Sequence, residues 1–192
     1  MSVLNFKIIG IAGTNGSGKD SVGEMLADRH GWLFVSVSEF LRDEARKRGL
    51  PIEREVLRTI SAEWRREFGV GVLADKAVEL FKHSGGKYKG LAVAPMRNPG
   101  EAQRVKDLDG KLIWVDADPQ VRYKRIYSRQ RSAEDKKTFE QFLAEEQAEM
   151  NHYGDEATLN MSGVKAKADI YLENNGSIEQ FQAAVEKALG LT

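Results

Sequence analysis

Gly13-Thr14-Asn15-Gly16-Ser17-Gly18-Lys19-Asp20-Ser21 is the stretch around which the 192-residue chain is organised. Ahead of it, Phe6 to Ala12 is apolar, with Ile8, Ile9 and Ile11, and reads as a buried strand. Behind it, Val22, Met25 and Leu26 recur at i, i+3 and i+4, which reads as a helix. A strand, a glycine-rich turn and a helix opened by Gly-Lys form a phosphate-binding loop. Glycines let backbone N–H groups converge on an anion. The helix N-terminus adds partial positive charge, and Lys19 adds a full charge within reach of the β- and γ-phosphates of ATP. Gly13, Thr14, Asn15, Gly16, Ser17, Gly18, Lys19, Asp20 and Ser21 are therefore the candidate ATP contacts.

In the pattern G-x-x-x-x-G-K-[ST] the last position supplies a hydroxyl to Mg²⁺. Here Asp20 stands there and Ser21 follows. Mg²⁺ prefers oxygen ligands, so Asp20 and Ser21 are the candidate metal ligands. The alternative for Asp20 is a cap on the first helix, where an anion is favoured without any metal.

Outward from the loop, apolar runs and helical periods alternate. Trp32–Val35, Leu91–Ala94, Lys111–Val115 and Ile170–Leu172 read as further strands. Residues 37–48 read as a helix stopped by Gly49-Leu50-Pro51. Ile52, Val56, Ile60, Trp64 and Phe68 recur every four residues, a long amphipathic helix. Asn98-Pro99-Gly100-Glu101 reads as a helix start, and so do Asp118-Pro119, Thr138 with Gln141, and Ser177 with Gln180. Residues 151–167 are polar and give no clear element. Five strands alternating with helices predict one α/β domain over residues 1–192, with a parallel sheet covered on both faces. Ligands then gather at the carboxyl ends of the strands.

Lys+Arg and Asp+Glu both number 29, so the net charge is zero, which argues against a protein that coats a nucleic acid polymer. There is no cysteine, which excludes disulfides and cysteine-based zinc sites and is compatible with a cytoplasmic location. No apolar run reaches membrane-spanning length and the N-terminus lacks a signal-peptide pattern, so no membrane role is expected.

The order of these segments resembles the nucleoside monophosphate kinase group of P-loop proteins, which includes adenylate kinase and dephospho-CoA kinase. Ser36-Val37-Ser38-Glu39-Phe40-Leu41-Arg42 is similar to the family's segment after the second strand, and Arg42 falls on an arginine that grips the acceptor's phosphate. Gly90 to Arg97 resembles the third-strand segment, and Arg97 falls on a second arginine of that kind. Asp118 to Arg131 resembles the helix leading into a mobile lid. Arg125 falls on the arginine against the donor's adenine and Arg129 on a lid arginine. Ala168 to Gly176 resembles the last strand and loop of dephospho-CoA-kinase-like proteins and brings Asn175 to the nucleotide. The Gly-Lys-Asp loop resembles that of phage deoxynucleoside monophosphate kinases and animal phosphomevalonate kinases.

The resemblance implies transfer of the γ-phosphoryl group of ATP, with Mg²⁺, to a small nucleotide-like acceptor. Residues 36–83 are the expected acceptor-binding region, with Ser38, Arg42 and Arg97 as contacts, and residues 125–140 the lid. Lys19, Arg125 and Arg129 are the expected catalytic cations, since phosphoryl transfer needs positioning and charge neutralisation. Ser38 has a second reading, as cap of the helix from Glu39. Arg122 reads as a solvated arginine, and Glu140, Glu145, Glu146 and Glu149 as a solvated acidic face. His30, His83 and His152 read as surface residues. Two departures stand out: Ala94-Pro95 replaces the acid that family members carry at the end of the third strand, and residues 144–149 lack the late lid arginines. The first supports a different class of function, a regulatory nucleotide-binding or NTPase module with closure as a switch.

Overall fold

The fold comes from a computed structural model that describes residues 7–129, 137–151 and 153–191. Chain order is β1 (Ile8–Gly13), α1 (Lys19–His30), β2 (Leu33–Ser36), α2 (Val37–Lys47), α3 (Arg54–Phe68), α4 (Val72–His83), β3 (Leu91–Ala94), α5 (Pro99–Asp107), β4 (Lys111–Asp116), α6 (Pro119–Arg129), α7 (Phe139–Met150), α8 (Met161–Ala166), β5 (Ile170–Glu173) and α9 (Ile178–Leu189). The strands form one five-stranded sheet in the order β2-β3-β1-β4-β5. Every pairing is parallel.

Strand periodicity sorts the core into two layers. Successive residues of a strand point to opposite faces. Ile9 and Ile11 of β1, Ala92 and Ala94 of β3, and Ile113 and Val115 of β4 pack with Val22, Met25 and Leu26 of α1 and Phe181, Val185 and Leu189 of α9. Their neighbours Ile8, Ala12, Leu91, Val93, Leu112 and Trp114 face the other way, onto α2, α3, α4, α5 and α8. Burial on both faces is why β1, β3 and β4 read as continuous apolar runs rather than alternating ones.

Sheet order also fixes where a ligand sits. From β1 the chain crosses outward to β2, and from β3 it crosses back over β1 to β4. Connections that diverge in this way leave a crevice at the carboxyl ends of the central strands. The phosphate loop leaves β1 at that place.

The helix starts follow their sequence signals. Asn98 accepts from the Gly100 N–H at 2.8 Å, and Asp118 from Gln120 at 2.8 Å. Thr138 with Gln141, and Ser177 with Gln180, form reciprocal capping boxes. Three expectations change. The helix after β2 starts at Val37, so Ser38 lies inside its first turn and is not its cap. Residues 151–167 hold a short helix, α8, because the Asn160 side chain accepts from Gly163 N–H at 2.7 Å. His30 is not an isolated surface residue: its Nε2 lies 2.9 Å from Glu186 Oε1. His152 lies outside the described residues. Among the described residues, no helix is long and apolar enough to cross a membrane.

Candidate active site

The loop from β1 to α1 is braced by the ends of β4 and β5, the two strands on one side of β1. Thr14 donates its hydroxyl to Asp116 Oδ1 at 2.7 Å, and its N–H to Val115 O at 3.3 Å. Ser17 turns its hydroxyl back onto Thr14 O at 2.8 Å. Asn174, just past β5, donates to Ser17 O at 2.8 Å and is itself held through its N–H on Asp116 O. Gly18 precedes α1 with φ 92°, and a Cβ there would stand 2.5 Å from Asn174 Nδ2. The turn therefore needs glycine for both its φ and its space. Lys19 is buried, with Nζ 3.4 Å from Thr14 O.

Arg125 on α6 approaches the same loop. Its Nη2 donates to Asn174 O at 2.9 Å. Its Nη1 is buried without a hydrogen-bond partner among the described residues. A buried guanidinium nitrogen with no acceptor is costly, so this one suits a ligand oxygen or ring nitrogen. Arg129 is the last residue of α6, and its side chain lies outside the described part of the molecule. So do residues 130–136 of the expected lid.

One cleft of about 710 Å³ joins the loop to the region after β2 and β3. Asn15, Gly16, Gly18, Lys19, Asp20, Ser21 and Arg125 line one end; Ser38, Arg42, Arg54, Arg58 and Arg97 line the other. The structure thus brings together most of the expected site residues. Gly13, Thr14 and Ser17 lie behind the loop as its braces. Asn175 is not in the cleft wall: its Oδ1 accepts from Asp118 N at 2.7 Å and fixes the start of α6. Its neighbour Asn174 makes the loop contact.

At the far end the arginines meet carboxylates. Arg42 pairs with Glu39 one turn earlier on α2. Arg97 Nη1 lies 3.6 Å from Glu149 Oε2 on α7, and Arg58 Nη2 contacts Glu149 Oε1. Burial pushes the Glu149 carboxyl up, but the charges of Arg97, Arg58 and Arg54 outweigh it and hold it below the usual carboxylate range. Of the α7 acids, Glu140 and Glu145 are solvated, but Glu149 is not. Glu146 likewise holds Arg122, with Arg122 Nη2 at 2.8 Å from Glu146 Oε1.

Three framework residues are not visible as such from the sequence. Arg122 is buried and donates Nε to Ala117 O at 2.7 Å and Nη1 to Asn15 O at 3.4 Å. It ties α6 to the phosphate loop and, through Glu146, to α7. Arg65 and Glu101 form an ion pair that is 2% and 0% exposed. Glu101 takes both Nε and Nη2 of Arg65, at 2.9 and 2.7 Å, and its other oxygen accepts from the backbone N–H of Arg97 at 3.0 Å. Its spacing, three residues into the Asn98 start, was the one local hint.

Asp20 is exposed at the cleft, in the first turn of α1 with no cap hydrogen bond, and Ser21 and Glu24 line the cleft beside it. Among the described residues no three or more His, Cys, Asp or Glu converge as a metal cage. That donor set fits Mg²⁺, which takes one or two protein carboxylates and completes its shell with phosphates and water. Asp116 is committed to Thr14 and to the Ala117 N–H instead.

Residues 9–152 match the family model described as AAA domain. A UPF0200 protein of Pyrococcus abyssi is 32% identical over 183 residues, with 93% of each chain covered. Among solved structures, shikimate kinase from Acinetobacter baumannii in complex with shikimate superposes with a TM-score of 0.55 at 16% identity, covering 98% of this chain and 93% of that one. A gluconokinase from Sinorhizobium meliloti gives a TM-score of 0.53 at 14% identity, covering 99% and 94%. At these identities the likeness is one of fold: a P-loop kinase-like α/β domain.

Proposed function

The chain belongs to the AAA domain family and to the UPF0200 proteins, and on that premise we propose that it is an ATP-dependent phosphotransferase acting on a small, nucleotide-like acceptor of the nucleoside monophosphate or dephospho-CoA type. The observation that carries this reading is the single cleft with a phosphate loop at one end and Arg42, Arg58 and Arg97 at the other. A protein that only hydrolyses ATP has no use for a second set of phosphate-sized cations.

In this reading Lys19 and the N–H groups of the loop hold the β- and γ-phosphates. Arg125 lies against the donor and offers its unpartnered Nη1. Arg42 and Arg97 hold the acceptor's anionic group, with guanidinium forks suited to paired oxygens. The acceptor oxygen forms its bond to the γ-phosphorus as the bond to the β,γ-bridging oxygen breaks, which leaves ADP. Lys19, Arg125 and Arg129 offset the charge that spreads over the transferring group. Mg²⁺, held by Asp20 and Ser21, would neutralise part of the phosphate charge. The resemblance implies that a lid closes over the donor to exclude water. The protein acts in the cytoplasm on a dissolved small molecule.

Ala94-Pro95 at the end of β3 favours a second reading, a nucleotide-operated switch with slow hydrolysis, because no acid extends from that strand toward the cleft. One experiment separates the two. ADP formation is followed with ATP and Mg²⁺ alone, then with a panel of nucleoside monophosphates and dephospho-CoA. The kinase reading expects at least one acceptor to raise the rate well above the ATP-only rate and to appear as a phosphorylated product. A rate indifferent to every acceptor supports the switch.

A further inference from the structure

The cations at the acceptor end are already bridged by an anion that belongs to the chain. Glu149, in the last turn of α7, sends Oε1 to Arg58 and Oε2 to Arg97. A substrate phosphate would use two of its oxygens in the same way. The Arg97 contact, at 3.6 Å, is longer than a hydrogen bond. Arg58 and Arg97 remain 36% and 32% exposed, so a dissolved anion reaches both.

The helix that carries Glu149 is held mainly by other contacts. Phe142 on α7 is buried against Tyr123 of α6 and stacks on Phe139, with the Arg122 guanidinium over its ring. This aromatic cluster lies outside both layers of the sheet core. Loss of the Glu149 pairings would therefore leave α7 anchored. There is also room for the carboxylate to withdraw. A second cavity, of about 850 Å³, opens between α3 and α7 on the other side of it. Arg54, Arg58 and Glu149 form part of the wall between the two spaces.

We propose that Glu149 is a resident occupant of an anion subsite made by Arg58 and Arg97, and that the acceptor's phosphate binds by displacing it toward the cavity between α3 and α7. Glu149 then sets a threshold for acceptors. A neutral or singly charged group gains too little from the two arginines to replace a carboxylate already seated on them. A phosphate dianion gains more, from stronger charge and a third oxygen. The apparent affinity is lowered by the fraction of time the subsite is open. The identity of the displacing group as the acceptor's rests on the kinase reading; the displacement itself does not.

The test is titration calorimetry of inorganic phosphate into the full chain carrying Lys19→Ala, so that the phosphate loop contributes little heat. Adding Glu149→Gln is expected to tighten phosphate binding about tenfold, the gain for a subsite otherwise open about a tenth of the time. Adding Arg58→Ala to that variant is expected to remove the gain. If Glu149→Gln disturbs the fold by near-UV circular dichroism, Glu149→Asp replaces it, with a shorter reach and a smaller gain in the same direction. Phosphate binding that stays the same or weakens in either folded variant overturns the proposal, as does a gain that survives Arg58→Ala. None of these readings involves turnover, so an absence of kinase activity would leave them standing, and their failure would leave the kinase assay untouched.

Discussion

At the donor end of the cleft, side chains are tied to backbone. Asn174 holds Ser17 O, Arg122 holds Ala117 O and Asn15 O, and Arg125 holds Asn174 O. At the acceptor end, Arg42, Arg58 and Arg97, each about a third exposed, are tied to carboxylates: the exposed Glu39 and Glu55 and the mostly buried Glu149. Backbone acceptors have nowhere to go, so the donor loop keeps its shape whether or not nucleotide is present. Carboxylates on flexible stems exchange partners, and the exposed pairs of Glu39 and Glu55 do so with little loss, since such pairs contribute only about 0–1 kcal/mol. On the proposed reading, the donor end is thus preformed and the acceptor end is poised for exchange with its ligand.

The largest expected effect tests where the firm part of the acceptor end begins. Glu101→Gln leaves Arg65 charged and buried without its counter-ion, and breaking such a pair costs about 3–5 kcal/mol. Denaturant unfolding measures it. The double change Arg65→Met with Glu101→Leu should recover most of the loss, because no uncompensated charge remains. A single-variant cost under about 1 kcal/mol, the worth of an exposed pair, would erase the distinction between this buried brace and the exchangeable ion pairs above it.

Next is Lys19→Ala, which is expected to lower the rate of ADP formation by about 10²–10³-fold, as removal of one preorganised charge-stabilising donor does. Stability should hold, because Thr14 O keeps its hydrogen bond from the Ser17 hydroxyl at 2.8 Å. A melting temperature that falls as far as in the Glu101 variant would mean that the donor loop depends on Lys19 for its shape, contrary to the backbone-braced picture.

Arg42→Ala and Arg97→Ala sharpen the separation of the two ends. Each should weaken acceptor binding by a charge-assisted contact of about 1.5–3 kcal/mol, roughly ten- to a hundredfold, and leave ATP binding nearly as it was. Calorimetry with ATP and with the best acceptor, titrated separately, gives both numbers. Equal losses for the two ligands would mean that the cleft has one site, not two.

What the sequence made legible follows from range. The strand-loop-helix at residues 8–30 is a local signal, since the apolar run, the glycines and Lys19 that mark it are contiguous, whereas its braces Asp116 and Asn174 are distant in sequence. The caps at Asn98, Thr138 and Ser177 are local for the same reason. Arg42 and Arg97 were reached only through the family resemblance, and the structure places both in the wall of the cleft. Arg65, Arg122 and Glu149 were not reached. Their partners stand 36, 24 and 91 residues away, and a charged residue at helical spacing looks the same from sequence whether its partner is solvent or a distant side chain. α8 was missed because six residues carry too little periodicity.

The smallest expected effect concerns Asp20. A capping role would require its side chain to satisfy an N–H at the helix start, but Gly18 holds the cap position and no side-chain cap bond is made. What remains for the free protein is a favourable anion in the first turn, about 0.3–1 kcal/mol. Asp20 is exposed, so even that is screened. With nucleotide bound the position matters more. The carboxylate directly follows Lys19, the end of β3 supplies no acid, and the Mg²⁺ of a bound nucleotide needs oxygen beside the β- and γ-phosphates. Asp20→Ala is therefore expected to leave the melting temperature within about a degree or two, while raising several-fold the Mg²⁺ concentration for half-maximal ADP formation. Asp20→Asn, which keeps one oxygen and loses the charge, should fall between. Because the donor end is preformed, the change should appear in the metal requirement and not in acceptor affinity. A Mg²⁺ titration that superposes on that of the unaltered protein would remove Asp20 from the metal site and leave Ser21 as its candidate ligand in the loop.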